Sequence, residues 1–380
     1  MIGERVPNTA SDPVDRAGAV LEVDLAGVVA NWRALAARVN PAACAAVVKA
    51  DAYGLGAPHV STVLAAAGCR LFFVATLDEG VALRSTLPAS CEIAVLNGPL
   101  PGSAQEFVVH QLVPVLNEPG QITNWAEIAR RHGGLPAMLH VDTGMARLGL
   151  STREFEKLAN GLSQQTAIRW RALISHLACA DQHAHPLNDL QRARFASVRR
   201  HFACSPASLA ASSGIFLGQR FHLDFVRPGA ALYGINPLPG TLNPMRQVVR
   251  LQGRILQIRE VDRGESVGYG AAHIMDRPGR LATVAVGYAD GWLRSLSHRG
   301  SGRLGGKRLP LLGRVSMDLV VFDVSAADPS LARPDGFVEL LDEDYGVDAA
   351  AADAGTIGYE ILTALSRRCH RVYRGLPNQC

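Results

Sequence analysis

A lysine that closes an apolar run is a candidate for covalent chemistry, and Lys49 in VVKADAYGLG is such a residue. Desolvation in a walled pocket lowers an amine's pKa and makes it a nucleophile toward carbonyls. The same placement also suits a lysine reaching past a strand end to solvent. Arg147 follows His140 and Asp142 in HVDTGMARLGL, again behind an apolar run. A guanidinium there is a fork for a carboxylate or a phosphate-bearing ligand, with a surface ion pair as the alternative. ASSGI and VRPGAALYG supply Ser212, Ser213, Arg227 and Gly229. Small residues let backbone N–H groups approach an anion, although a single glycine also fits an ordinary turn. HLACADQHAHP carries His176, His183 and His185, but no carboxylate or cysteine set completes a ligand spacing, so no metal is expected. Further on, SVGYGA and AVGYADGW set Tyr269 and Tyr288 among glycines, and RVSMDLVV holds Met317 and Asp318. Tyrosines so placed serve packing or interfaces more often than proton transfer.

These residues need elements to position them. Short apolar runs centred on Val47, Phe73, Val95, Val115, Leu139, Ile174, Ala210 and, less clearly, Val226 alternate with helical patterns such as QITNWAEIARRHG and LQRARFASVRRHF. Buried parallel strands read as continuous apolar runs, and eight strand–helix units in series fit a (β/α)8 TIM-type barrel better than an open sheet. Such a barrel carries chemistry at the C-terminal ends of its strands, with phosphate favoured after the seventh and eighth. From about residue 246 the text changes to VVRLQGRILQIREV, RLATVAVGY and DGFVELL, β-type runs separated by turns. The expected organisation is therefore an α/β protein with a polar, frayed lead over 1–18, a barrel over 19–245 and a mostly β domain over 246–380.

Composition narrows the function class. At 380 residues and 48% hydrophobic, the chain is long enough for two cores. A net charge of +4 with no Lys/Arg block argues against a nucleic-acid partner. The polar start MIGERVPNTASDPVDRAG has no apolar stretch of signal-peptide type, and no run approaches membrane-spanning length, so neither export nor membrane association is expected. Seven scattered cysteines without a C-x-x-C pair suggest reduced thiols in a cytoplasmic protein.

Taken in order, VVKADAYGLG, DTGMARLGL, SHLACAD, VRPGAALYG, SVGYGA, AVGYADGW, GRVSMD and TIGYEILTALSRR resemble the alanine racemase family over about residues 19–373. The resemblance implies a homodimer in which the barrel binds pyridoxal phosphate and the β domain of one subunit completes the other's site. Lys49 then matches the lysine that holds the cofactor and acts as one base, and Tyr269, supplied by the partner, the opposite base. Racemisation needs two bases on opposite faces of a planar carbon. His176 matches the histidine coupled to that tyrosine. Arg227 matches the partner of the pyridine nitrogen, which a barely acidic guanidinium leaves an acceptor, suppressing transamination. Tyr53, Ser212, Gly229, Ala230 and Tyr359 match phosphate-binding positions. Arg147 matches a contact to the cofactor phenolic oxygen and the substrate carboxylate, Met317 a backbone donor to that carboxylate from the partner subunit, and Tyr288 an entrance tyrosine.

The sequence departs from the family at His140, where many members carry a lysine that becomes carbamylated and orients the arginine; a neutral His140, or a bound anion, is expected to orient Arg147 instead. Ala211 and Ala230 replace an asparagine and an isoleucine frequent in the family. Alanine is the expected substrate. A broad-range or serine racemase is the nearest alternative, and a decarboxylase of similar architecture is disfavoured because GRVSMD stands where a cysteine motif would be sought. A barrel-only cofactor carrier would lack the second domain. Cell-wall D-alanine supply and D-alanine catabolism use the same chemistry, so either role is compatible with these motifs.

Overall fold

The computed structural model describes residues 13–164, 166–202 and 205–375. They form two compact units: one spans Asp24–Val248 with Gly375, and the other joins residues 13–23 to Val249–Arg374. Most of the polar lead, residues 1–12, lies outside the described residues, and Pro13–Arg16 forms a short helix.

In the unit beginning at Asp24, seven strands pair in parallel and in chain order: Ala46–Val47, Leu71–Val74, Glu92–Val95, Val113–Leu116, Leu135–His140, Ile168–Ile174 and Ala207–Ser208. An eighth, Phe225–Val226, pairs in parallel with Ala43–Cys44. Its flanks close the ring, because Val47 N–H donates to Pro228 O on one side and Arg227 N–H donates to Ala210 O on the other. The runs are largely apolar because both faces are covered: Phe72, Phe73, Ile93, Val95, Val115 and Leu173 are all fully buried.

Some of the surrounding helices start on side-chain caps. Asp24 accepts from Gly27 N–H ahead of Leu25–Val39, and Glu118 accepts from Gly120 and Gln121 ahead of Pro119–Arg131. Pro119–Arg131 buries Ile122, Trp125, Ala126 and Ala129, the spacing of one helical stripe. Past Ala207–Ser208 the expected helix is replaced by the short 3-10 turns Ser213–Leu217 and Gln219–Phe221, the second entered through Gly218 at φ 105.

The first strand falls differently from the reading that began the barrel at residue 19. Ala19–Asp24 pairs antiparallel with Val249–Val261, Ala19 opposite Gly253 through Val23 opposite Val249, and so belongs to the other unit's sheet. Chain order alone hides an N-terminal strand that returns to a C-terminal sheet. That sheet has eight strands ordered Gly279–Val284, Val320–Asp323, Lys307–Leu312, Ser301–Leu304, Phe337–Leu341, Val249–Val261, Ala19–Asp24, His370–Arg374. The long strand Val249–Val261 also pairs with Gly279–Val284, which turns the sheet back on itself. Leu251, Ile255, Val284, Phe322 and Leu340 fill its core. No helix of the described residues is long and apolar enough to cross a membrane.

Candidate active site

Lys49 stands directly beyond Ala46–Val47, at the C-terminal end of the first barrel strand. The four residues that follow are all left-handed: Ala50, Asp51 and Ala52 at φ 53 and Tyr53 at φ 57. Each such non-glycine residue costs about 1–2 kcal/mol, so the turn persists only under outside constraint. Its own bonds run Ala52 N–H to Val48 O and Gly54 N–H to Ala50 O, and the Asp51 carboxylate accepts from Ala57 N–H at 2.7 Å. The Glu79 carboxylate reaches in from the helix Leu77–Arg84 and accepts from Ala50 N–H, also at 2.7 Å. The half-buried Lys49 amine is pushed below its ordinary pKa by burial and then by the Arg147 guanidinium, with Glu79 opposing. A lowered pKa is what a nucleophilic amine needs.

Two neutral imidazoles share the barrel mouth, and the Lys49 charge acts on one of them, His176. Burial, followed by Arg227 and Arg147, pushes both His140 and His176 down to about 3. The tautomer of His140 follows from its neighbour: Asn117 Nδ2 donates to Leu96 O and Val115 O, which turns Asn117 Oδ1 toward His140 Nδ1 at 2.8 Å. His140 Nδ1 therefore carries the proton and Nε2 is an acceptor. His176 is held from behind by fully buried Gln191, whose Nε2 donates to His176 O while its Oε1 accepts from Ala178 N–H. Asp142 turns the next loop. Although burial raises its pKa, donation from Gly144, Met145 and Ala146 N–H holds the carboxylate below the usual range. Arg147, which that loop presents, is exposed and makes no hydrogen bond or ion pair among the described residues.

Arg227 lies at the end of the eighth strand and is buried. Nη1 donates to Ser208 Oγ (2.6 Å) and Ser208 O (2.9 Å), and Nη2 donates to Ser175 O (2.5 Å). No carboxylate pairs with it among the described residues, and burial lowers its pKa to about 10, which leaves it charged at neutral pH. Beside it, Ser212 Oγ accepts from Gly229 N–H and Ala231 N–H, both at 3.1 Å, while Ala230 N–H makes no bond among the described residues. Gly229 thus contributes space rather than a free donor: a Cβ there would lie 2.4 Å from the Tyr53 hydroxyl oxygen. The Tyr53 ring lies 4.7 Å from that of Tyr233, which donates to Val47 O.

The barrel mouth is therefore cationic. Lys49, Arg147 and Arg227 share it with neutral histidines, and its carboxylates, Asp142 and Glu79, are committed to backbone N–H groups. This is the chemistry of a site for an anionic ligand bearing a phosphate or carboxylate. The bonded Ser212 cradle, the space at Gly229 and a buried guanidinium without a carboxylate fit pyridoxal phosphate, whose phosphate and ring nitrogen need donors.

The other unit carries the remaining candidates. Tyr269 sits at the tip of the hairpin formed by Ser266–Val267 and His273–Ile274, anchored by Val267 and Met275 in a small core with Val261 and Leu281. It is 71% exposed. Tyr288 and Met317 lie side by side, since Tyr288 N–H donates to Ser316 O and Ala289 N–H to Met317 O. A Cβ at Gly287 would come within 2.3 Å of Met317 O, so only glycine allows this approach. Buried Asp290 anchors the pair, accepting from Gly287 N–H at 2.8 Å and forming an ion pair with Arg368 Nε at 3.0 Å. Arg368 Nη1 also holds Asp318 at 2.7 Å. Tyr359 lies in the helix Gly358–Ala364 of this unit, apart from the Ser212 cradle in sequence and in unit.

The family model described as "Alanine racemase, N-terminal domain" matches residues 23–237, and the one described as "Alanine racemase, C-terminal domain" matches residues 248–373. The chain belongs to the alanine racemase family. Among relatives, the alanine racemase of Rhodospirillum rubrum is 51% identical over 95% of this chain and 97% of its own length. A catabolic alanine racemase of Mesorhizobium japonicum is 48% identical over 94% of each. Among solved structures, alanine racemase from Bartonella henselae with covalently bound pyridoxal phosphate superposes with a TM-score of 0.89 at 40% identity, covering 94% of this chain and 99% of that one. The alanine racemase of Streptomyces coelicolor gives 0.90 at 31%, covering 96% and 100%.

Within this alanine racemase fold, the barrel unit brings together Lys49, Tyr53, His176, Ser212, Arg227, Gly229 and Ala230, with Arg147 on the loop above. Tyr269, Tyr288, Met317 and Tyr359 reside in the other unit. Sequence reasoning missed Glu79, Asn117, Gln191 and the Asp290–Arg368 pair. Glu79 left a trace, the spacing of Thr76 and Glu79 ahead of a helix, which is a capping-box pattern. The others act through tertiary contacts that no local pattern announces.

Proposed function

We propose that this protein interconverts L- and D-alanine with pyridoxal phosphate, using Lys49 and Tyr269 of the partner subunit as opposed bases in a cytoplasmic homodimer. The observation that carries the reading is the barrel mouth, where a pKa-lowered lysine lies among neutral histidines and beside a buried arginine without a carboxylate. When bound, the cofactor supplies an electron sink that makes the α-proton of alanine removable.

The residues of the chain do the rest. Lys49 Nζ would hold the cofactor, and its free amine would take or return a proton on one face of the α-carbon. Tyr269 serves the opposite face, and its 71% exposure within its own chain is what a residue completing another subunit's site requires. His176, neutral at working pH, is available to accept a hydrogen bond from that tyrosine. Arg227 keeps its charge and would hold the ring nitrogen of a bound cofactor as an acceptor, which would disfavour protonation at a carbon other than Cα. Tyr53, the Ser212 hydroxyl and Ala230 N–H bind the phosphate, with Gly229 giving room. Arg147, its guanidinium unpaired with any carboxylate among the described residues, takes the substrate carboxylate, assisted by the Met317 N–H of the partner subunit and bordered by Tyr288.

The test is loss of optical activity with L-alanine and, separately, with L-serine, on purified protein whose mass in solution is measured alongside. Alanine turnover well above serine turnover in a dimer supports the reading. Carbon dioxide release without racemisation would replace it with a decarboxylase.

A further inference from the structure

We infer that Glu79 is a positioning residue for the cofactor lysine: its carboxylate clamps the left-handed turn after Lys49 to the start of the next strand–helix unit. One oxygen, Oε1, accepts from Ala50 N–H at 2.7 Å, the first amide of the turn. The other, Oε2, accepts from Ala75 N–H at 2.7 Å and Thr76 N–H at 3.3 Å, the residues that lead into the helix Leu77–Arg84. A single side chain thus ties the mouths of the first and second barrel strands together.

The clamp is needed because four consecutive non-glycine residues hold a conformation that L-residues avoid. Lys49 enters this turn and Tyr53 leaves it, so the turn sets the separation between the amine and the hydroxyl packed against Gly229. As a charged acceptor the carboxylate also binds the Ala50 amide more strongly than a neutral one would. Ordinary helix capping would use only the contacts to Thr76 and Ala75; the bond to Ala50 crosses 29 residues of sequence and serves no cap.

The inference rests on Lys49 being the cofactor lysine. A protein that bound no cofactor would refute that assignment in the wild type, before any substitution. The experiment is hydrogen exchange by mass spectrometry on the holoenzyme, together with the rate of cofactor release, for Glu79→Gln, Glu79→Asp and Thr76→Ala. Glutamine offers one acceptor oxygen and aspartate is one methylene shorter, so neither can serve both ends. Losing a charge-assisted hydrogen bond should speed exchange of residues 50–56 and cofactor release by about tenfold in both variants. Thr76→Ala frays the helix start and should speed exchange there alone. Wild-type exchange of residues 50–56 in the Glu79 variants, or both effects reproduced by Thr76→Ala, would overturn the inference. If Glu79→Gln does not fold, Glu79→Asp decides by the same criteria.

Discussion

Replacing Gly229 with alanine adds one methyl group at the point where the Tyr53 hydroxyl meets the barrel. The backbone there, φ −126 and ψ −80, places no left-handed demand on the residue, so the effect is steric. The new Cβ would lie 2.4 Å from the hydroxyl oxygen and 3.1 Å from Cζ, and ordinary contact begins at 3.4 Å, so the hydroxyl must retreat by about 1 Å. Tyr53 has little room to do so. It is buried, its ring rests on Tyr233, and Val47 Cβ lies 3.3 Å from the added methyl. Overpacking of this kind costs about 1–3 kcal/mol and should lower Tm by about 3–10 °C. A phosphate hydrogen bond lost with the displaced hydroxyl should raise the cofactor Kd by about ten- to a hundredfold. Absorbance titration of the apoprotein with pyridoxal phosphate and a thermal melt measure both. The double variant Tyr53→Phe with Gly229→Ala removes the clashing oxygen and should recover most of the lost Tm, though not the Kd. An unchanged Kd and Tm in Gly229→Ala, or no thermal recovery in the double variant, would refute the assignment of Gly229 as space for Tyr53.

The neutral histidines set a pH dependence. With folded pKa values near 3 against an ordinary 6.5, the unfolded chain binds more protons across that interval, so stability falls as pH drops from about 6.5 toward 3 and is independent of these groups above it. Each histidine contributes at most about 1.4 kcal/mol per pH unit, and urea unfolding of His140→Asn between pH 7.5 and 5 should give a shallower slope than wild type. In the other unit, Arg368→Ala removes the bonds to Asp290 and Asp318 beneath Tyr288 and Met317; about 1 kcal/mol of lost positioning is a roughly fivefold rise in the alanine KM with kcat little changed. Steady-state kinetics check it, and a loss confined to kcat would argue against it.

The barrel was legible because its buried strands are written largely as apolar runs: LFFV, EIAV and VPVL all occur as strands at the expected places. Lys49 and Arg227 could be found for the same reason, standing at the ends of such runs. Strand Ala19–Asp24 was assigned to the barrel because its partner lies about 230 residues away, and pairing at that distance has no local signature. The left-handed turn at 50–53 was equally hidden: nothing in KADAY marks it, and the bonds that hold it reach out to Glu79 and Ala57. Gly229 was read as a place where an amide meets phosphate. The sequence could not reveal that Ser212 takes that amide and that the missing side chain is what matters.

The central claim is that two bases, Lys49 and Tyr269, act on opposite faces of one carbon. The direct measurement is α-proton exchange of L-alanine and D-alanine in deuterated water, followed together with loss of optical activity, for wild type, Tyr269→Phe and Lys49→Ala reconstituted with cofactor. Wild type should exchange and invert both enantiomers. Tyr269→Phe should exchange one enantiomer only, with retention of configuration, and racemise neither, while Lys49→Ala should not exchange that same enantiomer. Racemisation persisting in Tyr269→Phe, or exchange of both enantiomers in either variant at the wild-type rate, would contradict the two-base account.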